Sequence, residues 1–141
     1  MKRWLKWSLV TLVVGAVAFA LTPFWPVPPT APQPPGAVLP LFVALSLVES
    51  LSFGFGVAFL IFGRPLVDRM GGSPGLTTAA YVAIAFLLLN WWPHDNLHRL
   101  TNGDWSLVVL VEYGFHLPLM IAGAVLAWFF VSLARRKPAP A

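Results

Sequence analysis

Four long apolar runs dominate this 141-residue sequence and limit the folds that it can adopt. They cover about residues 4–21, 38–62, 76–92 and 105–133. Each run is near or above the roughly 17–25 residues that an α-helix needs to cross the hydrocarbon core of a bilayer. None alternates polar and apolar positions as a transmembrane β-strand does. Because backbone groups in lipid must be hydrogen-bonded within their own segment, the runs predict four transmembrane helices.

The scarcity of charge excludes a soluble globular domain. Only 10% of the residues are charged and 58% are hydrophobic, whereas a soluble domain has about 25% charged residues. We therefore predict an all-α integral membrane protein whose residues 1–141 form a single four-helix transmembrane domain. The absence of cysteine excludes disulfides and thiolate metal sites. The net charge of +4 does not indicate nucleic acid as a partner, because the basic residues flank the apolar runs and form no single patch.

Lysine and arginine predict the orientation in the cell membrane. Basic residues precede the first run, lie between the second and third, and follow the fourth, at Lys2, Arg3, Lys6, Arg64, Arg69, Arg135, Arg136 and Lys137. Four crossings put these three groups on one side, and only Arg99 falls on the other. Because basic loops stay in the cytoplasm, we predict that both termini are cytoplasmic and that the histidine-containing loop 93–104 is external.

The connecting segments have distinct compositions. Residues 22–36 are rich in proline, which blocks helix formation and favours an extended external strap. Residues 63–75 are predicted to be a turn rich in glycine and proline, and residues 134–141 a disordered basic tail. The first run is expected to be a retained helix. Its basic start and the small residues Ala18 and Ala20 also fit a cleaved signal peptide, so this alternative stays open.

The second run carries a carboxylate and a stripe of small residues. Glu49 lies near its middle, where a charged side chain costs about 2.5–3.5 kcal/mol and is expected to face other helices. Small side chains recur every four residues, at Ser46, Ser50, Gly54 and Ala58. Such a stripe lets another helix approach closely, so these positions are predicted to pack in the membrane and to be a contact with other membrane subunits.

The three histidines of the chain, His94, His98 and His116, all fall in the second half of the sequence. His94 and His98 are four residues apart, as are Glu112 and His116, so each pair shares a helix face. Pro93 is expected to end the third helix, and Asp95 to cap a short surface helix after it. Pro118 predicts a kink beside His116, with the carbonyl of Gly114 left free.

These groups predict one outward-facing cluster, most simply a metal site. Its ligands would be His94, His98, Glu112 and His116, and the metal Zn, Fe, Mn or Cu, because imidazole and carboxylate ligands without sulfur suit these ions. Haem is a less favoured ligand, because loop histidines suit a buried macrocycle poorly. A second shell or proton acceptor is expected at Glu49, Asp95, Asn90 and Tyr113.

Two other functions remain open on the sequence alone. The chain could be an accessory or assembly subunit of a larger membrane complex without chemistry of its own. It could instead relay protons or bind a quinone, with a pocket lined by the aromatic residues Trp91, Trp92, Tyr113 and Phe115. No nucleophile elbow or phosphate-binding loop occurs in the sequence, so no catalytic residue is assigned and enzymatic activity stays open.

Overall fold

The computed structural model describes residues 2–25, 29, 34–101 and 104–135, and these residues form helices joined by short connections, with no β-strand among them. The all-α prediction is therefore confirmed for these ranges. The helices are α1 (Arg3–Leu21), α2 (Leu39–Phe62), α3 (Arg64–Met70), α4 (Pro74–Leu89), α5 (Trp91–Thr101) and α6 (Trp105–Ala134).

Three helices are long and apolar enough to cross a membrane: α1 with the turn after it, α2 and α6. A fourth crossing exists if α4 and α5 count as one span, bent by 48° at their junction. The length and composition of these helices suit a multi-pass membrane protein. The third apolar run was predicted to continue as a helix to Trp92, but α4 ends at Leu89.

The helices pack in the order α1, α2, α4, α6. Within the described residues, the extensive contacts join α1 to α2, α2 to α4 and α4 to α6. The buried core lies near α3, where Phe59, Val67 and Phe129 meet the start of α4. We call this the α3 end of the molecule, and the opposite end the α5 end. The three histidines lie in the half of the molecule toward the α5 end.

Glycine contacts bring α1 and α2 together. A methyl group built on Gly54 would overlap the carbonyl oxygen of Thr11 and lie 2.7 Å from the backbone nitrogen of Gly15. Ser50 and Ala58 are fully buried, and the backbone of Ser50 also faces Gly15. These positions of the small-residue stripe are therefore covered by the chain itself and are not exposed to a partner subunit.

The other face of α2 packs on α4. A methyl group on Gly56 would lie 2.8 Å from the side chain of Leu89. Ser52 donates a hydrogen bond of 3.0 Å to the carbonyl of Leu88, and Tyr81 donates one of 2.6 Å to the carbonyl of Leu60. Hydrogen bonds between helices add to packing in a membrane, where no hydrophobic effect holds helices together.

The segment 63–75 contains a helix, so the prediction of a turn there is wrong for residues 64–70. Pro65 lies in the first turn of α3, where a missing N–H costs nothing. Arg64 pairs with Asp68 at 2.9 Å, one helical turn later. Gly71 and Gly72 have φ angles of 84° and 144° and end the helix.

The break between α4 and α5 lies at Asn90, and the prediction that Pro93 ends the helix is wrong. Pro93 is instead the third residue of α5, within the first turn, which tolerates proline. Asp95 lies inside α5 and does not cap it, contrary to the prediction. The bend turns α5 away from the axis of α4 by 48°.

The proline-rich strap and the tail are described only in part. Thr22–Phe24 form a 3-10 turn and residues 36–38 form another turn, so these parts of the strap are not extended as predicted. The rest of the predicted strap, apart from Trp25, Pro29, Pro34 and Pro35, lies outside the described residues. Of the predicted basic tail, Ala134 ends α6 and Arg135 follows in a turn. Residues 136–141 lie outside the described residues.

Candidate functional site

Helix α5 divides the polar residues of its end of the molecule between two faces. His94 and His98, one turn apart, lie against α6. Asp95 and Arg99, also one turn apart, lie toward α1 and α2. Between these faces, Asn96 is 1% exposed and donates a hydrogen bond of 2.7 Å to the carbonyl of Trp92.

The histidine face of α5 forms a continuous row of contacts with α6, which we call the histidine chain. The Nε2 atoms of His94 and His98 are 3.0 Å apart. The same Nε2 of His98 lies 3.1 Å from Oε1 of Glu112. The other carboxylate oxygen, Oε2, lies 2.7 Å from Nδ1 of His116. The structure thus brings together all four residues predicted as metal ligands, which come from two helices.

The hydrogen-bond donors and acceptors of the histidine chain restrict where its protons lie. A carboxylate only accepts hydrogen bonds, so an ionised Glu112 requires N–H groups at Nε2 of His98 and Nδ1 of His116. Nε2 of His94 must then be an acceptor, because two N–H groups cannot face each other at 3.0 Å. The proton on His98 therefore lies between two acceptors, His94 and Glu112, at nearly equal distances.

The histidine chain extends along α6 as far as His116, and its two side chains on α6 are partly exposed. Glu112 and His116 lie about 10 and 16 Å from the start of α6, at about 1.5 Å per residue. Their side chains are 44% and 47% exposed, because α4 and α5 cover only part of this helix. His116 Nδ1 also lies 3.0 Å from the carbonyl of Glu112, rather than bonding the Gly114 carbonyl that Pro118 leaves free.

Asn90 and Tyr113, two of the predicted supporting residues, differ in their placement. Asn90 is 6% exposed and lies beside His94 and His116 around a space of about 20 Å³. Its Oδ1 has no hydrogen-bond partner within the described residues. This space holds about one water molecule and is too small for a quinone ring. Tyr113 is 62% exposed and takes no part in the chain of contacts.

The four aromatic residues predicted to line a quinone pocket do not share one cavity, although Trp91 and Phe115 both border the space of about 20 Å³ beside His94. Trp92 lies on the far side of α5, where it packs on Trp25 and Phe53. Its Nε1 donates a hydrogen bond of 3.0 Å to Thr22 Oγ1. Phe115 instead packs against His94, with the ring centroids 5.0 Å apart.

Glu49 and Asp95 take no part in the hydrogen bonds that join the histidines to Glu112 within the described residues. Glu49 is 9% exposed, and Asp95 lies on the face of α5 that is turned toward α1 and α2. The roles predicted for both residues, as second shell or proton acceptor, stay predictions.

Asp104 fixes the start of α6. Its Oδ1 accepts hydrogen bonds from the Ser106 hydroxyl at 2.6 Å and from the backbone N–H groups of Ser106 and Leu107 at 3.0 and 3.3 Å. The hydroxyl of Ser106 and the amide of Leu107 hold the pKa of this carboxyl below its usual value. Asp104 therefore stays ionised at neutral pH and caps the helix that carries Glu112 and His116.

The cluster is arranged as a chain rather than around one point. Among the residues that the structure describes, no group of three or more His, Cys, Asp or Glu side chains has its ligand atoms placed to hold a metal ion. Sequence reasoning missed Asn96 and Thr22, because neither stands in a recognisable spacing. The one available signal was the i, i+4 step from Trp92 to Asn96, which places these two residues on the same face of α5.

The comparisons with known proteins add no family to this description. The chain matches no protein-family model, no curated protein and no solved structure.

Proposed function

We propose that this multi-pass membrane protein relays protons along the chain formed by His94, His98, Glu112 and His116. The observation that carries the proposal is the position of His98 Nε2, 3.0 Å from His94 Nε2 and 3.1 Å from Glu112 Oε1. When His98 takes up a second proton at Nδ1, the imidazolium can release its Nε2 proton to His94 or to Glu112, and the charges of these two groups decide which one accepts it. Histidine and glutamate within membrane segments are typical of proton relays.

The half-exposed flank of α6 is where the relayed proton would be delivered. Polar side chains half exposed to lipid raise the free energy of the protein, and Glu112 and His116 are in this position at their depth in α6. A partner that covers this flank, whether another subunit or a small proton acceptor, would remove that cost and take the proton. The alternative of an accessory subunit without chemistry of its own stays a separate possibility, and this flank of α6 would then be its contact with the larger complex.

For the orientation, we propose that both termini face the cytoplasm and that the relay lies in the external half of a four-helix membrane domain. The α3 end carries Arg3, Arg64, Arg69 and Arg135, whereas Arg99 lies at the α5 end. This asymmetry follows the positive-inside rule if α4 and α5 make one bent crossing.

Histidine titration by NMR in lipid nanodiscs tests the relay. We expect the ring nitrogens of His94, His98 and His116 to change together as pH is varied, because groups that share protons titrate in steps that belong to the whole set. Three independent single-site curves would contradict the proposal. Glu112→Gln then tests the link between His98 and His116.

A second candidate is a transition-metal site at the same cluster. It is supported by the contacts of His98 with His94 and Glu112, since separations of 3.0 and 3.1 Å approach the roughly 3.0–3.5 Å between ligand atoms around Zn, Fe, Mn or Cu with bonds of about 2.0–2.1 Å. Binding would require the remaining ligands to rotate toward a common point. Haem, which needs a cavity for its macrocycle, finds none in the 20 Å³ space beside His94 and His116.

Elemental analysis separates the two candidates. The relay predicts that protein purified without chelator and then loaded with Zn, Mn, Fe or Cu keeps less than about 0.1 equivalent after desalting, consistent with weak binding by an unformed site. One equivalent that the wild type retains and His98→Gln loses would favour the metal site. Asp68→Asn, at the opposite end of the molecule, is the matched control.

A further inference from the structure

A second site lies on the other face of α5. A cavity of about 480 Å³ opens between the end of α1, the start of α2 and α5. Its apolar wall includes Phe19, Leu39, Phe42 and Val43, and its polar wall includes Asp95 and Arg99. The volume lies within the roughly 300–1,000 Å³ of small-molecule sites. None of these residues belongs to the histidine chain.

The two charged residues of the cavity do not neutralise each other. Asp95 and Arg99 are one helical turn apart, a spacing at which opposite charges usually pair. Among the ion pairs of the described residues, however, no contact within 4 Å joins their charged groups. The cavity therefore presents a separate anion-binding and cation-binding group along one side.

The charges that line the cavity are of opposite sign. Asp95 and Arg99, its charged residues within the described part of the chain, supply one carboxylate and one guanidinium. A ligand that carries only negative charge would meet Asp95 as well as Arg99. The two groups suit a head that has a cation and an anion a few ångströms apart.

The apolar wall continues onto the surface that faces lipid. Leu39, Phe42 and Val43 line the cavity and are also 49%, 51% and 49% exposed. A ligand can therefore place its head against α5 while its apolar part runs along α2 into the bilayer. This continuity distinguishes a lipid from a water-soluble solute.

We propose that this cavity binds an aminophospholipid such as phosphatidylethanolamine. Arg99 binds the phosphate, because a guanidinium donates paired hydrogen bonds to phosphate oxygens. Asp95 accepts hydrogen bonds from the primary ammonium, which has three N–H donors. Phe19, Phe42 and Val43 contact the glycerol end of the acyl chains. The quaternary ammonium of phosphatidylcholine has no N–H to donate to Asp95.

Native mass spectrometry measures the lipids that stay bound. The protein is released from nanodiscs of phosphatidylcholine that contain equal amounts of phosphatidylethanolamine and phosphatidylglycerol. We expect one phosphatidylethanolamine per wild-type chain, in excess over phosphatidylglycerol. Arg99→Gln should reduce its retention about tenfold or more, as expected for the loss of a charge-assisted hydrogen bond. Asp95→Asn should shift the preference toward phosphatidylglycerol.

Two further variants separate binding from folding. Arg69→Gln removes an exposed arginine at the α3 end and should retain lipid as the wild type does. Ser46→Phe fills the cavity without a change of charge and should also lose the lipid. Helix content by circular dichroism must match the wild type for each variant that is compared. Equal retention of both lipids by the wild type, or unchanged retention in folded Arg99→Gln, would overturn the proposal.

Discussion

Glu112→Gln should disconnect the proton relay. The carboxylate accepts hydrogen bonds on both oxygens, from His98 at 3.1 Å and from His116 at 2.7 Å. An amide has one oxygen and one NH₂ group, so it cannot accept from both histidines. We expect the coupled response of the histidines to pH to separate into independent curves. We also expect exchange of the His116 ring proton with external water to slow about 100-fold or more, the range over which positioned acid–base groups accelerate proton transfer.

Glu49→Gln is the matched control for this change. It makes the same substitution in a long apolar helix, at a carboxyl group that forms no hydrogen bond or ion pair with a histidine among the described residues. Histidine titration and proton exchange should follow the wild type. A Glu112→Gln protein that keeps both properties would show that the chain of contacts does not transmit protons.

Gly54→Ala should separate α1 from α2 or force them to shift. The added methyl group would overlap the Thr11 carbonyl oxygen and lie 2.7 Å from the Gly15 nitrogen, and both are backbone atoms that cannot rotate away. We expect the free energy of unfolding in detergent to fall by about 2–3 kcal/mol, the upper part of the usual cost of overpacking. This loss would occur although alanine favours helices over glycine by about 1 kcal/mol.

Gly123→Ala provides the comparison within the same protein. Gly123 lies in α6, and a methyl group built there meets nothing within 4 Å. The substitution should leave stability unchanged or raise it by up to about 1 kcal/mol through helix propensity. If the two variants unfold alike, the close contact of α1 with α2 does not hold in the folded protein.

The sequence predicts the helices well where hydrophobicity alone decides. The helices α1, α2 and α6 begin and end within one residue of the predicted runs, because lipid requires unbroken apolar segments with internal hydrogen bonds. The ends of α4 were less predictable. Trp91 and Trp92 extend the apolar run, yet the chain bends at Asn90, because Pro93 in the first turn of α5 has no N–H to donate to the Leu89 carbonyl.

The two i, i+4 pairs within the histidine cluster could also be predicted from their spacing. His94 with His98, and Glu112 with His116, share helix faces because they are four residues apart. Which other groups join them depends on how α5 is rotated, and that is set by tertiary contacts such as the hydrogen bond from Trp92 to Thr22. For this reason the sequence could not separate Glu49 from the histidine cluster.

The bent junction at Asn90 has a mechanical consequence for α5. His94 is followed directly by Asp95, and His98 by Arg99, so the neighbouring side chains point about 100° apart around the axis of α5. A rotation of α5 about this axis changes the distance of the histidines from α6 and that of the two charged residues from α2 at the same time. A ligand that binds one face of α5 and favours one rotation of the helix therefore changes the affinity of the other face for its own ligand. The effect is reciprocal, and the factor is the same in both directions.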